Sequence, residues 1–118
     1  MNYLKTLYEA TAMLLLYSNQ MKENDYQTVI SRYIYDNSHH WEGNPDRKYI
    51  DVISILLSLE RNTVPISKDI FEFLEKTLFS VPEAYLRKHF SESDVNMMLP
   101  DIRTAKAVIN HYADTADF

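Results

Sequence analysis

The residues best suited to chemistry crowd into one interval, DNSHHWEGNPDRKY at positions 36–49, which holds Asp36, His39, His40, Trp41, Glu42 and Asp46. Carboxylates and imidazoles together are the ligands of a metal ion or the partners of a proton transfer. A metal needs three or four such groups converging on one point, and adjacent histidines project in different directions. The H-E-x-x-H spacing, which sets two imidazoles on one helix face, is absent. A polar connection laid over a buried Trp41 accounts for the same residues, so no metal and no cofactor are expected.

A second chemistry is suggested by Arg32 and His39, separated by six residues. The pair resembles that of HEPN-type helical ribonucleases, whose arginine and histidine stand at a spacing of this order; the resemblance implies an arginine that holds a phosphate and a histidine that moves a proton. Such a site also needs positive surface for RNA, whereas the chain has 17 acidic residues against 12 Lys plus Arg and no basic cluster. The other titratable candidates have structural explanations. His89, after Arg87 and Lys88, ends a short helix where cations suit the dipole, and His111 does the same late in the last helix. Glu60 falls on an apolar arc but in a last turn, from which it reaches solvent or a cation. Glu72 and Glu75 belong to an exposed helical face, and no serine or threonine sits in a nucleophile motif. No enzyme is expected.

Composition narrows the class further. A single glycine leaves no phosphate-cradling loop and argues against a turn-rich β chain. The absence of cysteine excludes disulfides, iron–sulfur clusters and thiolate-ligated zinc. The apolar run ATAMLLLY near the N-terminus is preceded by Glu9, lacks a small-x-small cleavage pattern, and is far shorter than the ~20 residues that span a bilayer. A soluble cytoplasmic protein is the expectation. The net charge of −5 disfavours direct nucleic-acid binding and suits a basic protein partner, although mild acidity also serves solubility.

These residues must be positioned by helices. At 118 residues the chain is read as one all-α domain, 1–118, of about six helices. Residues 3–22 predict the first, with Leu4, Leu7, Tyr8, Thr11, Leu14, Leu15 and Ser18 on one face. Asn24 or Asp25 caps a second, where Tyr26, Val29, Ile30, Tyr33 and Ile34 recur at helical spacing. Asn44 as N-cap, Pro45 at the first position and Asp46 in the first turn start a third over 45–61. That helix is apolar over most of its circumference, with Asp51, Ser54, Ser58 and Arg61 in a narrow polar arc, and is therefore the central one. Ser67 caps a fourth, Pro82 opens a short fifth, and Ser91 with Asp94 approximates a capping box for the next. Pro100 is expected to restart the chain into a last helix carrying Ile102, Ala105, Ile109 and Tyr112, with fraying after Ala113.

Nine tyrosines remain to be explained. Tyr33, Tyr35, Trp41 and Tyr49 gather around the opening interval among Asp36, Glu42 and Asp46. Tyr33 and Tyr49 are in helical register and suit the core, while the rest form an aromatic and acidic patch of the kind favoured at protein interfaces. Tyr35, Asp36, His39, His40, Trp41, Glu42 and Asp46 are the candidate partner-binding residues. With its size, acidity, lack of cysteine and runs such as WEGNPDRKYIDVISILLSLE and SVPEAYLRKHFSESDVNMMLPDI, the chain resembles the small acidic helical immunity proteins of bacterial contact-dependent growth-inhibition systems. The resemblance implies a non-enzymatic inhibitor that occludes the active site of a toxin domain, a basic nuclease, with carboxylates and aromatics standing in for phosphates and bases. A helical regulatory adaptor would share these features.

Overall fold

A computed structural model describes residues 2–20, 26–62 and 64–115. Among them are six α-helices and one short 3-10 turn, with no strand: α1 (Tyr3–Gln20), α2 (Tyr26–Asn37), the turn Ser38–Trp41, α3 (Pro45–Arg61), α4 (Lys68–Phe79), α5 (Glu83–His89) and α6 (Glu92–Thr115). The expected Asn24 or Asp25 cap lies outside the described residues, as do Met21 and Lys22.

The expected centre is the observed one. Helix α3 packs against α1, α4 and α6, and Ile50, Val52, Ile53, Ile55 and Leu56 are wholly buried. Burial of each large side chain contributes about 1.5–3 kcal/mol. Its start follows the predicted chemistry: the Asn44 side chain accepts from the Arg47 N–H at 3.2 Å, and Pro45 takes the first position. The polar arc reaches water only at its C-terminal end, where Ser58 is half-buried and Arg61 exposed. Asp51 and Ser54 are 1% and 3% exposed, because α1 and the Ser38–Trp41 turn cover that side and supply hydrogen-bond partners.

Two further expectations are corrected. The first concerns the buried face of α1, which is Tyr3, Thr6, Ala10 and Leu14, with Leu7 and Tyr17 packed at its margin. Leu4, Tyr8 and Leu15 from the predicted core face are exposed. Polar anchors at the N-terminal end of α1 favour this rotation. The Tyr3 hydroxyl donates to Asp101 at 2.6 Å, and the Tyr3 N–H donates to Asp94 at 3.4 Å. Asp94, in the first turn of α6, thus meets the positive end of α1, while its own N–H is capped by Ser91 at 3.1 Å. Asn2 adds a cap by accepting from the Lys5 N–H at 3.0 Å.

The second concerns Pro100, which lies inside α6 rather than at a helix start. Proline in a helix interior costs ~3 kcal/mol, since it removes a hydrogen bond and crowds the preceding turn. Val95 and Met98 before it and Ile102, Ala105, Ile109 and Tyr112 after it are all buried on one continuous stripe. Several such burials outweigh one proline. Pro100 and Asn96, whose carbonyl loses its donor, both lie at exposed positions. The helix also extends through Asp114 and Thr115, beyond the expected fraying point, and residues 116–118 lie outside the described residues.

Candidate functional site: a clamped turn between α2 and α3

The interval 36–49 is built around a carboxylate that sequence reading placed in a polar arc. Asp51, nearly inaccessible, receives the Trp41 Nε1–H at 2.6 Å on Oδ2, and the Tyr33 hydroxyl and the Arg47 Nε–H, each at 3.2 Å, on Oδ1. One buried acid therefore ties α2, the turn and α3 together. Three donors satisfy its charge, the condition under which a buried carboxylate is tolerated. Burial and the nearby Asp51 charge both push the Tyr33 phenol well above its usual range. Tyr49, also buried, is pushed up to about 12 by loss of solvent.

Local backbone chemistry sets the turn. The Asn37 side chain donates to the Tyr33 carbonyl at 2.8 Å, closing the end of α2, and the Ser38 hydroxyl donates to the Tyr35 carbonyl at 3.1 Å. The Asn44 N–H reaches the Trp41 carbonyl at 2.9 Å, and Gly43 between them has φ of +72°, a conformation costly for residues with a Cβ. Trp41 is consequently an inward residue. It is 7% exposed and stacks on Phe73 of α4 at 5.7 Å between centroids, while Lys48 sits over the same Phe73 ring at 5.4 Å.

The seven candidate partner-binding residues divide accordingly. Tyr35 is 77% exposed, and His39, His40 and Glu42 are exposed; the two imidazoles, expected to diverge, instead lie side by side with ring centroids 4.0 Å apart, because the tight 3-10 turn carries both on its outer side. Asp36 and Asp46 are half-buried braces: Asp36 accepts from the Tyr17 hydroxyl at 2.9 Å and Arg32 at 3.3 Å, and Asp46 accepts from the Tyr85 hydroxyl at 2.7 Å. Both acids push their tyrosine partners up; burial leads at Tyr17, and the hydrogen bond leads at Tyr85. Trp41 cannot touch a partner without unfolding the turn.

Around Asp51 the arrangement fastens the turn to both helices. Asp51 has its donors in place and does not line three surface grooves found among the described residues. Arg32 lies in a groove with Tyr17, Gln20 and Asp36, paired to that carboxylate; His39 does not line it. No group of three or more His, Asp or Glu among the described residues could hold a metal ion. Glu60 and His111 are exposed at another groove over Leu59, Val108 and Tyr112. His89 stacks on Tyr85 at 3.9 Å between centroids, at the C-terminal end of α5 as expected.

What sequence reading missed is Asp51. A signal was present: it lies four residues after Arg47, on the one polar arc of a helix otherwise apolar all round. Comparisons with protein-family models, with curated proteins and with solved structures find no match. No described helix is long and apolar enough to cross a membrane.

Proposed function

We propose that the protein is a non-enzymatic cytoplasmic immunity protein that binds a toxin domain, a basic nuclease, and neutralises it by covering its active site. The observation that carries this reading is the exposed set formed by Tyr35 near the end of α2, His39 and His40 in the turn and Glu42 just after it, on a turn fastened by the Trp41–Asp51 hydrogen bond. A large aromatic displayed on a pre-ordered base gains contact area with little entropy to lose on binding. The net charge of −5 steers the chain toward a basic partner and away from direct contact with nucleic acid. Arg32, already paired with Asp36, gives the alternative of a ribonuclease no added support.

The experiment uses the C-terminal domain of the large secreted protein expected to be encoded immediately upstream. Stoichiometric addition of the wild-type chain should abolish that domain's activity. The double variant Tyr35→Ala, Glu42→Lys should lose at least tenfold in inhibitory potency, about 1.4 kcal/mol or more of binding free energy, with an unchanged circular dichroism spectrum. Undiminished inhibition by that variant would remove this face from the mechanism. A ribonuclease activity of the chain itself, lost on replacing Arg32 and His39, would replace the proposal with an enzyme.

A further inference from the structure

The outward face of α1 has no role in the clamped turn. At 100° per residue Leu4, Tyr8, Thr11, Leu15 and Ser18, with Ala12 and Asn19 beside them, occupy an arc of about 120°. That arc contains no charged residue, and neither does any position of α1 from Ala10 to Gln20. The spacing from Leu4 through Tyr8, Thr11 and Leu15 to Ser18 alternates four and three, the pattern of a coiled-coil seam. Tyr8 is 69% exposed, Leu15 60% and the flanking Leu16 53%. The stripe forms one wall of a 510 Å³ groove, whose other wall on α3 carries Leu57, Ser58 and, at its exposed end, Arg61.

We infer that this face pairs with the same face of a second copy, α1 against α1 in antiparallel orientation. Charge and shape argue for this occupant. A basic partner finds no carboxylate on the arc and meets Arg61 at the groove, whereas an identical stripe brings an uncharged seam and leaves the exposed Arg61 in water at the groove end. The seam is also self-complementary. With the two-fold axis between Thr11 and Ala12, Tyr8 of each copy lies opposite Leu15 of the other, and these small central residues allow close approach. The Thr11 hydroxyl is already engaged with Ser54 at 3.1 Å, so pairing strands no polar group there.

The area sets the strength. A helix of 18 residues gives a seam about 27 Å long. With the groove margins this buries roughly 1,000–1,200 Å² over both copies, at the low end for specific interfaces. An interface at that end of the scale suits a reversible dimer that dissociates in the micromolar range. Tyr35, His39, His40 and Glu42 do not line the groove, so the dimer does not rest on the inhibitor reading.

Sedimentation velocity from about 1 to 200 μM tests it, because that range spans micromolar dissociation. Association should tighten as salt is raised, since screening relieves repulsion between two chains of charge −5; binding to a basic partner should weaken instead. Leu15→Glu should weaken association at least tenfold while leaving the thermal unfolding curve in place. The chain has no cysteine, so mixing Tyr8→Cys with Leu15→Cys under oxidation should give more mixed crosslink than either variant alone gives with itself. A chain monomeric throughout overturns the inference, as does a dimer indifferent to Leu15→Glu. So does a monomer in which Leu15→Glu impairs toxin inhibition, which would assign the face to another protein.

Discussion

Replacing Asp51 by asparagine keeps the shape of the side chain and removes its charge. In the native turn Oδ2 accepts from Trp41 alone, and Oδ1 accepts from Tyr33 and Arg47. An asparagine can present its oxygen to one side only. If it keeps Tyr33 and Arg47, its NH₂ confronts the Trp41 N–H at a site where the acceptor was 2.6 Å away. If it turns to Trp41, the NH₂ faces Arg47 and only the rotatable Tyr33 hydroxyl adapts. Hydrogen bonds to charged groups contribute about 1.5–3 kcal/mol each, and a stranded buried donor costs about 1–3. Arg47 is partly rescued, since its side chain is 25% exposed and lies 3.9 Å from Glu9. One lost charged bond plus partial stranding gives a net destabilisation of about 2–4 kcal/mol. Trp41 is the sole tryptophan, so its fluorescence reports the turn directly while far-ultraviolet dichroism reports the helices. Urea unfolding followed by both should show a lower midpoint, an unchanged slope and red-shifted native emission. In a double-mutant cycle with Trp41→Phe the coupling should reach about 1 kcal/mol or more. A loss below about 0.5 kcal/mol with additive single mutants would refute Asp51 as the joint of the turn.

Other perturbations follow the same geometry. Pro100→Ala should stabilise the chain by about 1–2 kcal/mol, the ~3 kcal/mol cost of an interior proline less ~1 kcal/mol for the freer unfolded chain; a lower urea midpoint would contradict this. Gly43→Ala should cost about 1–2 kcal/mol through its positive φ alone, since no atom lies within 4 Å of the added Cβ; calorimetry checks it. Alkaline pH should destabilise the fold. Burial raises Tyr49 from the usual 10.0 to about 12. The unfolded phenol therefore loses its proton first, and the stabilisation is complete below pH ~10 and lost between ~10 and ~12, amounting to about 2–3 kcal/mol. Tyr3 and Tyr33 are pushed up further and extend the loss to higher pH. The last part of the tyrosinate absorbance rise should coincide with unfolding; completion of that rise while the helices remain folded would count against it.

Periodicity and capping chemistry are local, and they made the helices legible. Asn44, Pro45 and Ser67 act where their side chains predict, and α3 is central because it is apolar on most sides. Partnerships between distant segments were not legible. The rotation of α1 depends on Asp94 and Asp101, which are 91 and 98 residues from Tyr3, and helical spacing alone favoured the wrong stripe. Pro100 misled because its local cost is visible in sequence, whereas the stripe that overrides it is recognised only when Val95, Met98, Ile102 and Ala105 are read as one face. At the candidate site, residue types drew attention to the interval, but which of Trp41, His39 and His40 turned inward depended on Asp51 as a receptor for the indole N–H.

On the proposed reading an acidic chain uses the surface around its outward turn to capture a basic toxin domain. The association rate of the chain with the upstream-encoded domain across a salt series, read by stopped-flow with a fluorophore on the toxin domain, tests this. A 1:1 complex is expected, with an association rate that falls at least tenfold from about 20 to 500 mM salt and falls again with Glu42→Lys. No complex, or an association rate indifferent to both, would contradict it.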